Sequence, residues 1–111
     1  MFIRIFANKI DVLKATQEIL TAEMELTAKF AKALGHPIRI AILNLLNSQA
    51  CCFHGDMAEI LPIAKSTLSQ HLKELKKAGL IQGNITSPSV KYCINRENFN
   101  LAQHLLSEVL K

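Results

Sequence analysis

No stretch of the 111 residues approaches the roughly 20 apolar residues that a membrane-spanning helix needs. The N-terminus, MFIRIFANKIDVLK, opens apolar, but Arg4, Lys9 and Asp11 interrupt it before a signal-peptide core could form. The chain therefore reads as cytoplasmic, without a membrane partner. Cysteine is scarce: Cys51, Cys52 and Cys93 are the only three. An odd count with two of them adjacent makes a poor disulfide framework, so reduced thiols are the expectation. There is no Cys-x-x-Cys and no gathered set of Cys, His and acid that would suggest catalysis, so an enzyme is not expected. Internal repeats and low-complexity tracts are also missing.

Half of the residues are hydrophobic, which excludes a disordered chain and supplies one core. The length suits a single domain, residues 1–111. A chain of this size buries only about two-thirds of its unfolded surface, so a partner subunit would help. The net charge of +4 is unevenly placed. Residues 1–64 are neutral, whereas Lys65, Lys73, Lys76, Lys77, Lys91 and Arg96 face Glu74 alone within residues 65–96. Such a block marks either a polyanion-binding surface or a solvated face.

Helical punctuation recurs along the chain. Asn8 can cap a helix carrying Ile10, Leu13, Leu20 and Met24, and Thr21 can begin a second that runs to Gly35. Pro37 suits a first helical position, followed by the broad apolar face of Ile38, Ala41, Ile42, Leu45 and Leu46. A brief strand is expected near Phe53. Asp56 and Glu59 have capping spacing and open a helix of about two turns, which Pro62 stops. In the basic segment Leu68, Leu72 and Leu75 form one inward stripe, and Gly79 ends the helix. LIQGNIT and VKYCIN then read as two strands joined by Ser-Pro-Ser. Asn95 caps a last helix whose apolar side is Phe99, Ala102, Leu106 and Val109.

A short helix followed closely by a polar-faced helix is a helix-turn-helix, and a following hairpin makes it winged. The leucines anchor the second helix, while its outer face offers hydroxyls, an amide and ammonium groups. Hydroxyls and lysines hold phosphates, and Gln can pair with an adenine edge in a major groove about 12 Å wide. The fold expected is mostly α with a small β-wing, a winged helix-turn-helix. Candidate DNA-binding residues are Lys65, Ser66, Thr67, Ser69, Gln70, His71, Lys73 and Lys77, with Lys91 on the wing.

The segments AKALGHPIRIAILNLL, GDMAEILPIAKSTLSQHLKELKKAGLI and VKYCINRENF together resemble the ArsR/SmtB family of bacterial winged-helix repressors, from about Ala31 to Phe99. The resemblance implies a homodimer through the terminal helices, residues 1–34 and 96–110, around a winged core at 37–94. It implies repression at an inverted-repeat operator of double-stranded DNA, with release by an inducer. Two-fold symmetry is the commonest way to cover surplus apolar surface, and recognition helices about 34 Å apart meet successive major grooves. The dimer surface is expected to include Leu13, Leu20, Leu105 and Val109 or their helical neighbours. The family often has Ser or Thr at the position of Ala64; here Ser66 could take over as cap.

The metal motif departs from the family. Phe53 and Gly55 stand where its Cys-x-Cys would be, and His104 with Glu108 offers only two ligands of the last-helix site. The thiols admit two readings. In a winged helix the strand before the short helix pairs with the second wing strand, which would bring Cys51 or Cys52 near Cys93. Gathered thiols suit arsenite or another thiophilic ion as inducer, or a redox-switchable disulfide. Equally, free cysteine is among the commonest buried residues. Two further alternatives are a winged helix used only for protein contacts and an ArsR-like regulator that senses neither metal nor thiol chemistry.

Overall fold

The structure is a computed structural model of the chain and describes residues 20–48, 53–54, 57–84 and 91–111. Helices α1 (Ala22–Ala33) and α2 (Pro37–Asn47) come first, then the short strand β1 (Phe53–His54) and a single 3-10 turn, Met57–Glu59. Helix α3 (Lys65–Lys77) follows, then strands β2 (Ile81–Asn84) and β3 (Lys91–Ile94), and helix α4 (Arg96–Val109). The expected first helix, with Leu13, and the Ser-Pro-Ser turn lie outside the described residues.

Each helix start has a local cause. The Thr21 hydroxyl accepts from the Met24 N–H at 3.2 Å, and Glu23 and Glu25 sit in the first turn, where the positive end of the helix favours them. Pro37 occupies the start of α2 as its spacing predicts. The cap there is His36, whose Nδ1 accepts from the Ile38 N–H at 3.1 Å. The Asn95 side chain caps α4 by accepting from the Asn98 N–H at 3.2 Å. Helix α3 is the exception. It begins at Lys65 after Ala64, with no side-chain cap bond, so Ser66 does not take over that role.

Two other expectations are corrected. The segment opened by Asp56 is one 3-10 turn rather than a two-turn helix. Pro62 lies only five residues beyond Met57, and bends fill residues 61–63; a proline cannot donate to the preceding turn, so no longer helix closes. Leu105 is buried in its own chain against Ala102 and α1, not held on an outer face.

The core sits between α1, α2, α3 and the sheet. Phe30 from α1, Ile42 and Leu46 from α2, Met57, the stripe of Leu68, Leu72 and Leu75 from α3, and Leu80, Ile81 and Tyr92 from the wing form one buried cluster. A fully buried leucine contributes about 1.5–3 kcal/mol through removal of apolar surface from water, and Leu75 is 0% exposed.

The sheet is antiparallel in the order β1-β3-β2, so the strand before the 3-10 turn does pair with the second wing strand. The registers are Phe53 opposite Tyr92, and Ile81 opposite Ile94 through Asn84 opposite Lys91. Gly79 closes α3 with φ +86: its N–H reaches Lys76 O at 2.9 Å, and the Leu80 N–H reaches Leu75 O at 3.1 Å. That double bond pattern is the Schellman end of a helix, which needs a left-handed residue. Gly83 has φ +142, and a Cβ there would fall on the Lys91 carbonyl oxygen and lie 3.1 Å from Tyr92 Cα. Gly83→Ala is accordingly expected to cost at least about 3 kcal/mol, since backbone strain and a backbone clash combine. Gln82→Ala, exposed on the same strand, should stay within about 0.5 kcal/mol. Chemical denaturation followed by circular dichroism checks both, and equal midpoints would mean that the wing relaxes freely at Gly83.

Candidate nucleic-acid interface

Helix α3 has two chemically opposite faces. Leu68, Leu72 and Leu75 are buried, and Lys65, Ser66, Thr67, Ser69, Gln70, Lys73, Lys76 and Lys77 are exposed. The structure thus brings together on one surface every sequence-derived candidate of this helix except His71. Lys91, on β3, is exposed as well. The surface suits a polyanion: ammonium groups supply charge, while Ser, Thr and Gln supply short hydrogen-bonding groups that can reach phosphates and base edges.

His71 is a correction. It is 7% exposed and turns inward with the leucines. Residues 68, 71, 72 and 75 are the i, i+3, i+4, i+7 positions of one helix face, so its spacing already placed it inside. Its Nδ1 accepts from Arg39 Nε at 3.1 Å, and its ring lies 4.2 Å from that of His36, centroid to centroid, tilted by 45°. Burial lowers its pKa from 6.5, and the neighbouring His36 and Arg39 lower it further. Sequence alone assigns no role to Arg39 or to His36. The signal available was a polar side chain at an inward-facing helical position, which must find a partner.

Lys76 does a different job from its neighbours. Its Nζ donates to the Gly83 carbonyl at 2.7 Å, tying the last turn of α3 to β2. The Gln70 amide donates to Glu74 Oε1 at 3.4 Å. The end of α3 is also held from α4: Asn98 Nδ2 donates to the Gly79 carbonyl at 3.0 Å, and the Asn95 N–H to the Leu80 carbonyl at 2.9 Å.

Cys93 is half-buried on β3 and is disulfide-bonded, contrary to the expectation of reduced thiols. The chain has only two other cysteines, Cys51 and Cys52, and both lie outside the described residues. Strand pairing ignores sequence distance: β1 and β3 are hydrogen-bonded neighbours although about 40 residues apart in sequence. His104 and Glu108 are both exposed on α4, where Glu108 forms an ion pair with Lys111 at 3.0 Å. Among the described residues no group of three or more His, Cys, Asp or Glu side chains is placed to hold a metal ion. No described helix is long and apolar enough to cross a membrane.

Residues 36–82 match the family model for bacterial regulatory proteins of the arsR family. The chain is 32% identical over 81 residues to the HTH-type transcriptional regulator YgaV of Escherichia coli, covering 73% of this chain and 82% of that one. It is 35% identical over 94 residues to the HTH-type transcriptional repressor SmtB of Mycobacterium tuberculosis, covering 85% of this chain and 61% of that longer protein. The fold is shared with an ArsR-like transcriptional regulator from Rhodococcus sp. RHA1, with a TM-score of 0.64 at 20% identity, over 80% of this chain and 83% of that one.

The Lys76 tether generates a prediction about the wing. Lys76→Met keeps the aliphatic stem and removes the donor, so the loss of stability should be at the low end of about 0.5–1.5 kcal/mol. Amide hydrogen exchange should quicken in β2 while the core amides of α3 stay protected. Unchanged exchange in β2 would mean that the contact holds nothing.

Proposed function

The chain belongs to the ArsR family of bacterial regulatory proteins, a family of DNA-binding transcriptional regulators, and from that premise we propose that it is a sequence-specific repressor. It acts as a homodimer on an inverted-repeat operator and leaves that operator when an inducer is bound. One observation carries the DNA-reading part: the exposed face of α3 gathers Lys65, Ser66, Thr67, Ser69, Gln70, Lys73 and Lys77 over a leucine stripe that holds the helix from behind. In this reading Gln70 reads a base edge, the lysines and hydroxyls grip phosphates, and Lys91 adds a wing contact. The repressor role is supported by the likeness to a protein itself described as a repressor.

The dimer is supported by apolar surface at both ends of the described chain. Leu20 is 60% and Val109 66% exposed, and Met24 and Leu110 are exposed beside them. Scattered exposed apolar residues are ordinary, but Met24 lies on α1 and Val109 on α4, with Leu20 and Leu110 just beyond the ends of these helices, which pack on each other. Sedimentation at low micromolar concentration is expected to give twice the chain mass of 12.4 kDa, and Val109→Asp with Leu110→Asp is expected to shift it toward the monomer. A parent that sediments as a monomer overturns both the dimer and the two-fold operator.

The inducer reading centres on Cys93 with Cys51 or Cys52. The disulfide at Cys93 favours oxidation over arsenite, because an arsenite site needs free thiolates. The oxidised chain is therefore the released form. A coupling of about 1–3 kcal/mol would change DNA affinity 5–150-fold.

Gel-shift titration on a duplex selected by the chain from a random-sequence pool tests the reading. Gln70→Ala should flatten sequence preference by about 1–3 kcal/mol, and Lys73→Ala should weaken all sequences and lower the salt slope by about one. Operator and random DNA bound alike by parent and variants would place recognition elsewhere. Reduction should tighten binding in the parent and change nothing in Cys93→Ser; equal affinity of the reduced and oxidised parent would leave the cysteines a packing role only.

A further inference from the structure

Arg39 joins three helices. From the first turn of α2, its Nε–H donates to His71 Nδ1 in the middle of α3 at 3.1 Å, and its Nη1 donates to the carbonyls of Lys32 and Ala33 at the end of α1, at 3.4 Å each. The planar fork of a guanidinium fits this triangle, because one side chain can donate in two directions without changing rotamer. Because Nδ1 accepts, the His71 ring is neutral and carries its proton on Nε2. His71 is buried with the leucine stripe, one residue from the exposed Gln70.

We propose that Arg39 is a positioning residue for DNA recognition: it holds α3 through the neutral ring of His71, and protonation of that ring breaks the hold, so that operator binding weakens in acid. The proposal rests on the DNA-reading role of the outer α3 face.

A second proton on His71 turns the acceptor Nδ1 into a donor aimed at another donor. It also sets a cation against Arg39 and beside the His36 ring. The charged groups beside Arg39 are mostly cationic: Lys29, Lys32 and Lys77 line one cavity with it, and Glu74 is the one carboxylate of that lining. On α2 stand Arg39 and His36, and on α1 Lys32 lies beyond the Arg39 contact. On α3 itself Glu74 accepts from Gln70, with Lys73 and Lys77 exposed, and from the 3-10 turn Glu59 is exposed. Burial, then His36 and Arg39, lower the His71 pKa. The unfolded chain therefore takes up this proton at a higher pH than the folded one. Stability from the contact is full above the ordinary value of 6.5 and declines as pH falls below it toward the lowered folded value.

The sign of the effect sets it apart from ordinary electrostatics. Acid makes a protein surface more positive, which by itself strengthens binding to a polyanion. The Arg39–His71 contact acts in the opposite direction.

The test measures affinity of the full chain for a duplex that it selects from a random pool, at constant salt, at pH 7.5 and 5.5. His71→Asn keeps an acceptor oxygen at the δ position and does not titrate; Arg39→Lys keeps the charge and loses the fork. The parent is expected to lose about tenfold on acidification, a change of the size that ordinary coupling between two sites produces. His71→Asn is expected to match the parent at pH 7.5 within about threefold and to lack the acid loss, while Arg39→Lys is weak at pH 7.5. A parent that binds equally or more tightly at pH 5.5, or His71→Asn that retains the acid loss, overturns the proposal. Nitrogen NMR of the His71 ring separates the two readings. If no duplex is bound at any pH, the DNA reading falls; a ring that titrates at its ordinary value and ignores Arg39→Lys shows that the hold itself does not exist.

Discussion

Everything on the outer surface of α3 depends on burial behind it. An isolated helix of 13 residues is marginal in water, and this one starts with no side-chain cap, no acid in its first turn and Lys65 at the electrostatically unfavourable end. Its stability therefore comes from Leu68, Leu72 and Leu75 packing against α2 and the wing. That division of labour frees the outer face to be chosen for chemistry alone. Replacing one of these leucines by alanine would cost about 2–5 kcal/mol, a large part of what a domain this size has in reserve.

The end of α3 is as strongly determined as its start is weakly determined. Gly79 supplies the left-handed turn, Lys76 reaches across to Gly83, and Asn98 reaches back from α4 to the Gly79 carbonyl. A side chain at position 79 would meet Asn98 Nδ2 at 2.8 Å, so the glycine is required twice, once by φ and once by the close approach. Helix end, wing and terminal helix are thus one mechanical unit, and a displacement of α4 is felt at α3 without passing through the core.

Much of this was legible in the sequence. Pro37, Gly79, Asn95 and the leucine stripe each have a single structural meaning, and they placed α2, the end of α3, the start of α4 and the wing strands. The misses follow from side chains that satisfy two rules at once. His71 is polar and lies in a basic helix, so composition placed it outside, whereas its spacing from Leu68 and Leu75 placed it inside. Leu105 belongs to a terminal helix that presents apolar surface, but it is the neighbouring turn, with Val109 and Leu110, that stays exposed. The Cys93 disulfide is reported by no local pattern in the sequence. Arg39 was hidden for a similar reason: its partners are contributed by α1 and α3, and neither is near in sequence to the other.

The wing leaves and returns at the same spot. The chain enters the wing after Leu80 and leaves it at Asn95, whose N–H bonds to the Leu80 carbonyl at 2.9 Å, with Asn98 fixing Gly79 just beside it. A segment clamped at both ends closes a loop of fixed span. Lengthening it adds only the slowly growing cost of closing a longer loop, about 0.6 kcal/mol for a doubling. The length of the segment between the wing strands can therefore drift by insertion and deletion over evolutionary time, while the frame that holds α3 stays as it is.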